Sequence, residues 1–271
     1  MYPSLGGLAR RGPCLLCYTV AMSVCEVVSG PNEQQDPVYP KSPALFSRPY
    51  WLTMAAGTCA LAGLAAIASR KRPNHYDIAI TRRFQRHVAP PAAKALRLIS
   101  SPGYAPFTHS VVISLAGCYW ALGYRREAIF SIGTMGAGFS TGILKLSVRR
   151  PRPDVSFRMH HRLLKDNSFP SGHATHYTVF YGYVAFLAAR YLPACPLRAA
   201  LLAYCSTLIA CVGPSRVYLG HHWASDVAAG QLVGGLYLLT MLQAYLAFEP
   251  LPPLPCLSSG TPHVVEKERG E

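Results

Sequence analysis

Three polar clusters interrupt an otherwise apolar chain, and their residue types suggest one chemistry. The first is Lys145 followed by Arg149, Arg150, Pro151, Arg152, Pro153 and Asp154; the second is Phe169-Pro170-Ser171-Gly172-His173. The third runs from Ser215-Arg216 through Gly220, His221, His222 and Trp223 to Asp226. Lys145, Arg152 and Arg216 supply three permanent cations, suited to an oxyanion such as phosphate. Pro151 and Pro153 stop a helix, which lets Arg152 turn back toward Lys145. Ser171 and Gly172 stand at a predicted helix start, where backbone N–H groups point at an anion and glycine permits close approach. His173 sits at the same point, within reach of a bound phosphate ester. His222 and Asp226 are four residues apart, one helical turn, so the carboxylate can hold the imidazole's other nitrogen and leave a neutral nucleophile. Taken together these residues read as phosphoryl transfer to a histidine.

The elements that must position them are long and apolar. Six stretches lack any Lys, Arg, Asp or Glu for about the length a bilayer requires: 49–69, 105–124, 128–144, 167–189, 199–215 and 227–248. Open strands cannot satisfy their backbone groups in lipid, so an all-α bundle of six transmembrane helices is expected. Gly230-x-x-x-Gly234 and the series Gly133, Gly136, Gly138 and Gly142 are the small residues that let such helices approach closely. Trp51, Trp120 and Trp223 lie near predicted span ends, as an interfacial aromatic belt requires. Helix parity then brings the three clusters to one membrane face, because the loops after spans three and five open on the same side.

Composition agrees with a multi-pass membrane protein. Of 271 residues, 51% are hydrophobic and 14% charged, with 26 Lys+Arg against 12 Asp+Glu. A basic chain raises the possibility of nucleic acid, but the cations here lie between long apolar runs, so no nucleic-acid partner is expected. The basic stretch 70–104 is suited instead to anionic lipid headgroups. Between residues 37 and 248 the carboxylates are Asp77, Glu127, Asp154, Asp166 and Asp226, too sparse for a two-metal site, so no metal or other cofactor is expected. Cys59, Cys118, Cys205 and Cys211 fall in apolar runs and read as packing residues, while Cys14-x-x-Cys17 has no second pair to complete a zinc site. Residues 1–48 combine a short apolar run, resembling a targeting segment, with a Pro-rich linker; 49–248 form the membrane domain; 249–271 read as a disordered tail.

Lys145-(six residues)-Arg152-Pro153, then Pro170-Ser171-Gly172-His173, then Ser215-Arg216-(five residues)-His222-(three residues)-Asp226 resemble the three-part signature of the phosphatidic acid phosphatase type 2/haloperoxidase family. The hydropathy profile over about 50–248 is similar to that of its integral-membrane lipid phosphatases. The resemblance implies that His222 attacks phosphorus to form a phosphohistidine, with Asp226 orienting it. It implies that His173 protonates the leaving group and then activates water. Lys145, Arg152, Ser171, Gly172 and Arg216 are implied to hold the phosphate oxygens, and no metal is implied. The expected partner is a lipid phosphate in the bilayer, such as phosphatidic acid or a polyprenyl diphosphate. A lipid phosphotransferase using the same site, or an anion transporter using the same cations, are the alternatives. Charge bias and resemblance disagree on sidedness. The expected catalytic face carries sixteen of the 26 Lys+Arg, thirteen without the three site cations, against ten opposite. That leans cytoplasmic, whereas the family's sites face outward or into a lumen, and the latter is preferred.

Overall fold

The computed structural model describes residues 46–70, 73–159 and 166–248. The targeting-type segment, Cys14-x-x-Cys17, the Pro-rich linker, His160, His161, Arg162 and the tail from 249 lie outside the described residues. Among those described, all regular structure is helical: α1 (Arg48–Ala68), α2 (His75–His87), α3 (Pro90–Ser100), α4 (Phe107–Ala121), α5 (Arg125–Gly133), α6 (Gly136–Val148), α7 (Gly172–Tyr191), α8 (Pro196–Tyr218) and α9 (Ala224–Ala247).

Six crossings were expected, and four segments have the length and apolarity for one: Arg48–Ala68, Arg125–Val148, Pro196–Tyr218 and Ala224–Ala247. The 105–124 run yields only the 15-residue α4. Helix α7 has 20 residues, but it carries His173, Thr175, His176 and several tyrosines, which lower its apolarity. The 128–144 run is divided between α5 and α6. The carbonyl of Gly133 at that break accepts a hydrogen bond from Tyr237 Oη at 2.7 Å, so the interrupted ladder is satisfied from α9. Broad outer surfaces are apolar, with Trp51, Trp120, Phe139 and Leu146 more than half exposed, as lipid contact requires. Cys59 and Cys118 also face outward, whereas Cys205 is buried as expected of a packing residue.

Helix α9 packs against α7, and α7 against α8, to make the centre of the bundle. The Gly230-x-x-x-Gly234 pair carries the α9–α7 approach. A Cβ on Gly230 would lie 2.5 Å from the Ser171 carbonyl oxygen, and one on Gly234 would lie 2.9 Å from that of Thr175. Thr175 Oγ1 donates to Gly230 O at 2.9 Å across the same seam. Trp223 is corrected from the interfacial belt. It is 3% exposed, its ring stands edge-on to Phe157, and its indole N–H donates to Pro151 O. The segment 150–157 folds over it and removes it from the membrane surface.

The basic stretch 70–104 forms α2 and α3, two short amphipathic helices lying against α8. Ala93 and Leu96 pack on Tyr218 and Leu219, with Phe84 and Val88 at the margin. Arg82, Arg83, Arg86, Lys94 and Arg97 remain exposed, the arrangement of an interfacial helix pair.

Candidate active site

Every expected site residue lies at one end of the bundle: the C-terminal ends of α6 and α8 and the N-terminal ends of α7 and α9, with connecting loops. Helix α6 ends at Val148 because Arg149 adopts a left-handed conformation (φ 51°, ψ 36°), and Arg150, preceding Pro151, is sterically barred from continuing the helix. The chain reverses there, sending Arg150 inward and Arg152 over the site. A second reversal at Gly220 (φ +67°) sets the two histidines. A Cβ there would fall 2.0 Å from Phe157 O, so only glycine lets loop 219–223 pack on loop 155–157.

His222 is buried and its ring is fixed by a backbone group. Nδ1 lies 2.7 Å from the Ser168 carbonyl oxygen. A carbonyl can only accept, so Nδ1 carries the proton and Nε2 keeps its lone pair. Arg152 Nη1 donates to that Nε2 at 3.1 Å and to the His221 carbonyl at 2.6 Å. Burial, followed by the charges of Arg152, Arg216 and Lys145, pushes the His222 imidazole well below its ordinary pKa, so it is neutral near pH 7.

Asp226 does not bond this ring directly: its Oδ2 is 3.8 Å from Nδ1. That oxygen accepts instead from Ser168 Oγ at 2.5 Å and from the Trp223 amide at 2.9 Å, closing the first turn of α9. Asp226 therefore reaches His222 through residue 168, whose hydroxyl it holds and whose carbonyl holds the ring. The reason is geometric, since His222 precedes the helix and its ring does not follow the one-turn spacing of a helical pair.

Behind Asp226 lies a buried ion network that sequence reading missed. Arg150 Nη1 donates to Asp226 Oδ1 at 2.5 Å and to Ser225 Oγ at 2.7 Å, while Nη2 donates to Asp77 Oδ2 at 2.7 Å. Asp77 also accepts from the Ser225 amide at 3.0 Å. Arg150, Asp77 and Asp226 are 2%, 3% and 0% exposed, so each charge is held by partners rather than water. The network ties α2 to the first turn of α9.

Arg216 is buried, donating through Nη1 to Ser100 Oγ at 2.7 Å and to Tyr104 Oη at 2.8 Å. The Tyr104 ring stands edge-on to His173, centroids 4.6 Å apart, and a Cβ on Gly103 would strike His173 Cδ2 at 2.2 Å. The loop 101–104 thus forms one wall of the site, which no motif announced. His173 Nε2 is shielded from solvent and has no hydrogen-bond partner. Ser171 caps α7, its hydroxyl facing the Ala174 amide at 3.5 Å. Gly172 has open space where a Cβ would stand, leaving the helix N-terminus accessible to an anion.

Lys145 Nζ lies 3.0 Å from Asp166 Oδ2 and donates to the Asn167 carbonyl. Arg152 Nη2 lies 2.7 Å from Asp166 Oδ1. Burial raises the Asp166 carboxyl, but Arg152 and Lys145 outweigh it and hold the pKa at about 2. Among the described residues no group of three or more His, Cys, Asp or Glu side chains is arranged to hold a metal ion.

Residues 126–249 match the family model described as "PAP2 superfamily". Phosphatidylglycerophosphatase B of Bacillus subtilis (strain 168) is 34% identical over 93 residues, which are 34% of this chain and 44% of that protein. Lipid A 1-phosphatase of Rhizobium etli is 34% identical over 116 residues, 40% of this chain and 46% of the relative. A non-specific acid phosphatase of Salmonella typhi is 36% identical over 122 residues, 42% and 44% of the two chains. The chain thus matches less than half the length of each of these relatives. A crystal structure described as the first transmembrane PAP2 type phosphatidylglycerolphosphate phosphatase from Bacillus subtilis superposes with a TM-score of 0.61 at 23% identity, over 73% of this chain and 98% of that one. It supports the fold.

Proposed function

From the match of residues 126–249 to the PAP2 superfamily model, we propose an integral-membrane phosphatase acting on lipid phosphate monoesters or diphosphates through a phosphohistidine at His222. The observation that carries this reading is the forced tautomer of His222. The Ser168 carbonyl accepts a hydrogen bond from Nδ1–H, and Nε2 is left with its lone pair beside Arg152.

In the proposed first step Nε2 attacks phosphorus in line, the P–N bond forms as the P–O bond to the lipid breaks, and the leaving oxygen takes a proton from His173. Nδ1 stays protonated against Ser168 O, so the positive ring of the intermediate has an acceptor. In the second step a water gives its proton to His173 and attacks phosphorus. The P–N bond then breaks, and inorganic phosphate leaves with His222 neutral again. Lys145, Arg152, Arg216 and the α7 N-terminus at Ser171 and Gly172 offset charge developing on the non-bridging oxygens.

We read the membrane domain as crossing six times, with α4 and α7 joining the four long apolar segments. Fifteen residues of helix rise about 22 Å, so α4 needs local thinning of the bilayer or flanking turns to complete its span. Placing the site at a bundle end, beside the amphipathic α2 and α3, keeps a lipid's phosphate at headgroup level while its tails remain in hydrocarbon.

The test is phosphate release from phosphatidic acid by the full chain in detergent micelles, with acid-labile label trapped on the protein. His222→Ala is expected to lose at least about a thousandfold in kcat/KM together with the trapped label. Near-normal release by that variant would overturn the reading. Transfer of label to an added lipid alcohol in preference to water would make the protein a phosphotransferase instead.

A further inference from the structure

Lys145 and Arg152, two of the cations assigned to the phosphate oxygens in the proposed reaction, are already bridged by an anion of the chain's own. The two Asp166 oxygens lie 3.0 Å from Lys145 Nζ and 2.7 Å from Arg152 Nη2, spanning both cations as two oxygens of a phosphoryl group would. The exposures are unequal. The lysine and arginine side chains are 16% and 8% exposed, the aspartate 55%. The partner free to leave is therefore the carboxylate, which sits on a loop at the rim while the cations are packed in place. Beside it is a polar pocket of about 300 Å³, lined by Arg158 and Asn167 as well as Arg152 and Asp166, which gives a displaced carboxylate a solvated, cationic place to go.

We propose that Asp166 is a charge filter built into the phosphate site, competing with incoming anions for Lys145 and Arg152. The inference rests on the phosphatase reading and names the ligand class that passes. A terminal phosphate monoester or diphosphate carries two or more negative charges and gains Coulomb energy by replacing a single carboxylate. A phosphodiester carries one charge, gains none by the exchange, and has fewer free oxygens to span both cations. Ordinary diester phospholipids, abundant in any bilayer, are thereby kept off the site by charge without a steric barrier.

Asp166→Asn removes the competing charge and keeps the shape. Loss of two partly exposed ion pairs is expected to lower KM for short-chain phosphatidic acid, and the inhibition constant of methyl phosphate, by about threefold to tenfold. Dimethyl phosphate, a monoanion, is expected to inhibit the wild type weakly and the variant more strongly, because both inhibitors must displace the same carboxylate. Asp166→Glu, which retains the charge, is expected to behave like the wild type. Unchanged or raised inhibition constants for either inhibitor in Asp166→Asn would overturn the filter. Should Asp166→Asn not fold, Asp166→Ser carries the same expectation, and equal inhibition of the wild type by the two methyl esters would overturn the filter without any variant. Absence of phosphate release by the wild type would fail the underlying reading instead, which keeps the two outcomes distinct.

Discussion

The two ends of the bundle each bury an arginine among acceptors, yet only one has the makings of a reaction centre. At the end opposite His222, Arg126 donates to Tyr191 Oη at 2.8 Å, Tyr245 Oη at 3.0 Å and the Phe248 carbonyl at 3.0 Å. Glu127 accepts from Tyr245 at 2.6 Å and from Tyr191 at 3.1 Å, and the Arg126 guanidinium lies 4.2 Å from the Tyr245 ring centre. Its strong donors and acceptors are spent on the chain itself, pinning α5, α7 and α9 together. At the end that holds His222, Arg150 is committed in the same way, to Asp77 and Asp226, but the groups in front of it are not. His173 Nε2 has no partner, and Lys145 and Arg152 meet a carboxylate that is half exposed. Buried charge alone therefore does not mark a site. What distinguishes the reactive end is a closed network that supports an open one.

Replacing Arg150 and Arg126 breaks the comparison most sharply. Arg150→Met leaves Asp77 and Asp226 buried without their cation, and removing one partner of such a pair costs about 3–5 kcal/mol. Because Asp226 holds Ser168, and Ser168 holds the His222 ring, kcat is expected to fall at least about a hundredfold as well. Arg126→Met is expected to lose comparable stability, lowering the apparent Tm by about 10 °C, while kcat/KM per folded molecule stays within about twofold of wild type. A large activity loss in folded Arg126→Met would show that the far end takes part in the reaction. Thermal unfolding in micelles and active-site titration with label separate the two readouts.

A smaller change tests the link between network and nucleophile. Ser168→Ala keeps the carbonyl that fixes Nδ1 and removes only the hydroxyl bonded to Asp226. The expected loss is about tenfold in kcat with little change in KM, near the lower end of the about 1.5–3 kcal/mol that a hydrogen bond to a charged group is worth, because the carbonyl still holds the ring. A fall of the size expected for Arg150→Met would mean that the hydroxyl itself carries the orientation of the ring.

Much of the candidate site was legible because its residues sit where apolar runs stop. Lys145, Arg152, Ser171, Gly172, His173, Arg216, His222 and Asp226 all flank helix ends, and the structure brings them to the same end of the bundle. The supporting layer was not legible, for identifiable reasons. Arg150 is one of three arginines within four residues, and only the left-handed turn at Arg149 decides that it points inward. Asp77 lies in a stretch whose basic character suggested headgroups. Its signal was to be the lone acid there, in the first turn of a short amphipathic helix. Tyr104 and Ser168 act through loop geometry that no spacing encodes. Six apolar runs likewise overstated regularity, because a run without charge can still be broken, as between α5 and α6, when a tyrosine from a neighbouring helix satisfies the break.

The mildest test uses pH, and it separates the two ends by what each contains. The Arg126 cluster holds tyrosines and a glutamate but no imidazole, whereas the opposite end holds His222, whose pKa is pushed well below 6.5 by burial and then by Arg152, Arg216 and Lys145. A lowered histidine pKa means that, below pH 6.5, the unfolded chain binds a proton that the folded chain refuses. Stability therefore falls as pH drops from 6.5 toward the folded pKa, and this contribution is flat above 6.5. The His222 share of the decline in wild-type apparent Tm between about pH 6.5 and 5 is expected to be a few degrees, at no more than about 1.4 kcal/mol for each pH unit in that window. His222→Ala should lose that part of the slope. Arg126→Met should keep it, although its Tm is lower throughout. A slope unchanged in His222→Ala would mean that the ring accepts a proton in the folded protein as readily as in water, and the neutral nucleophile inferred from the Ser168 contact would not survive.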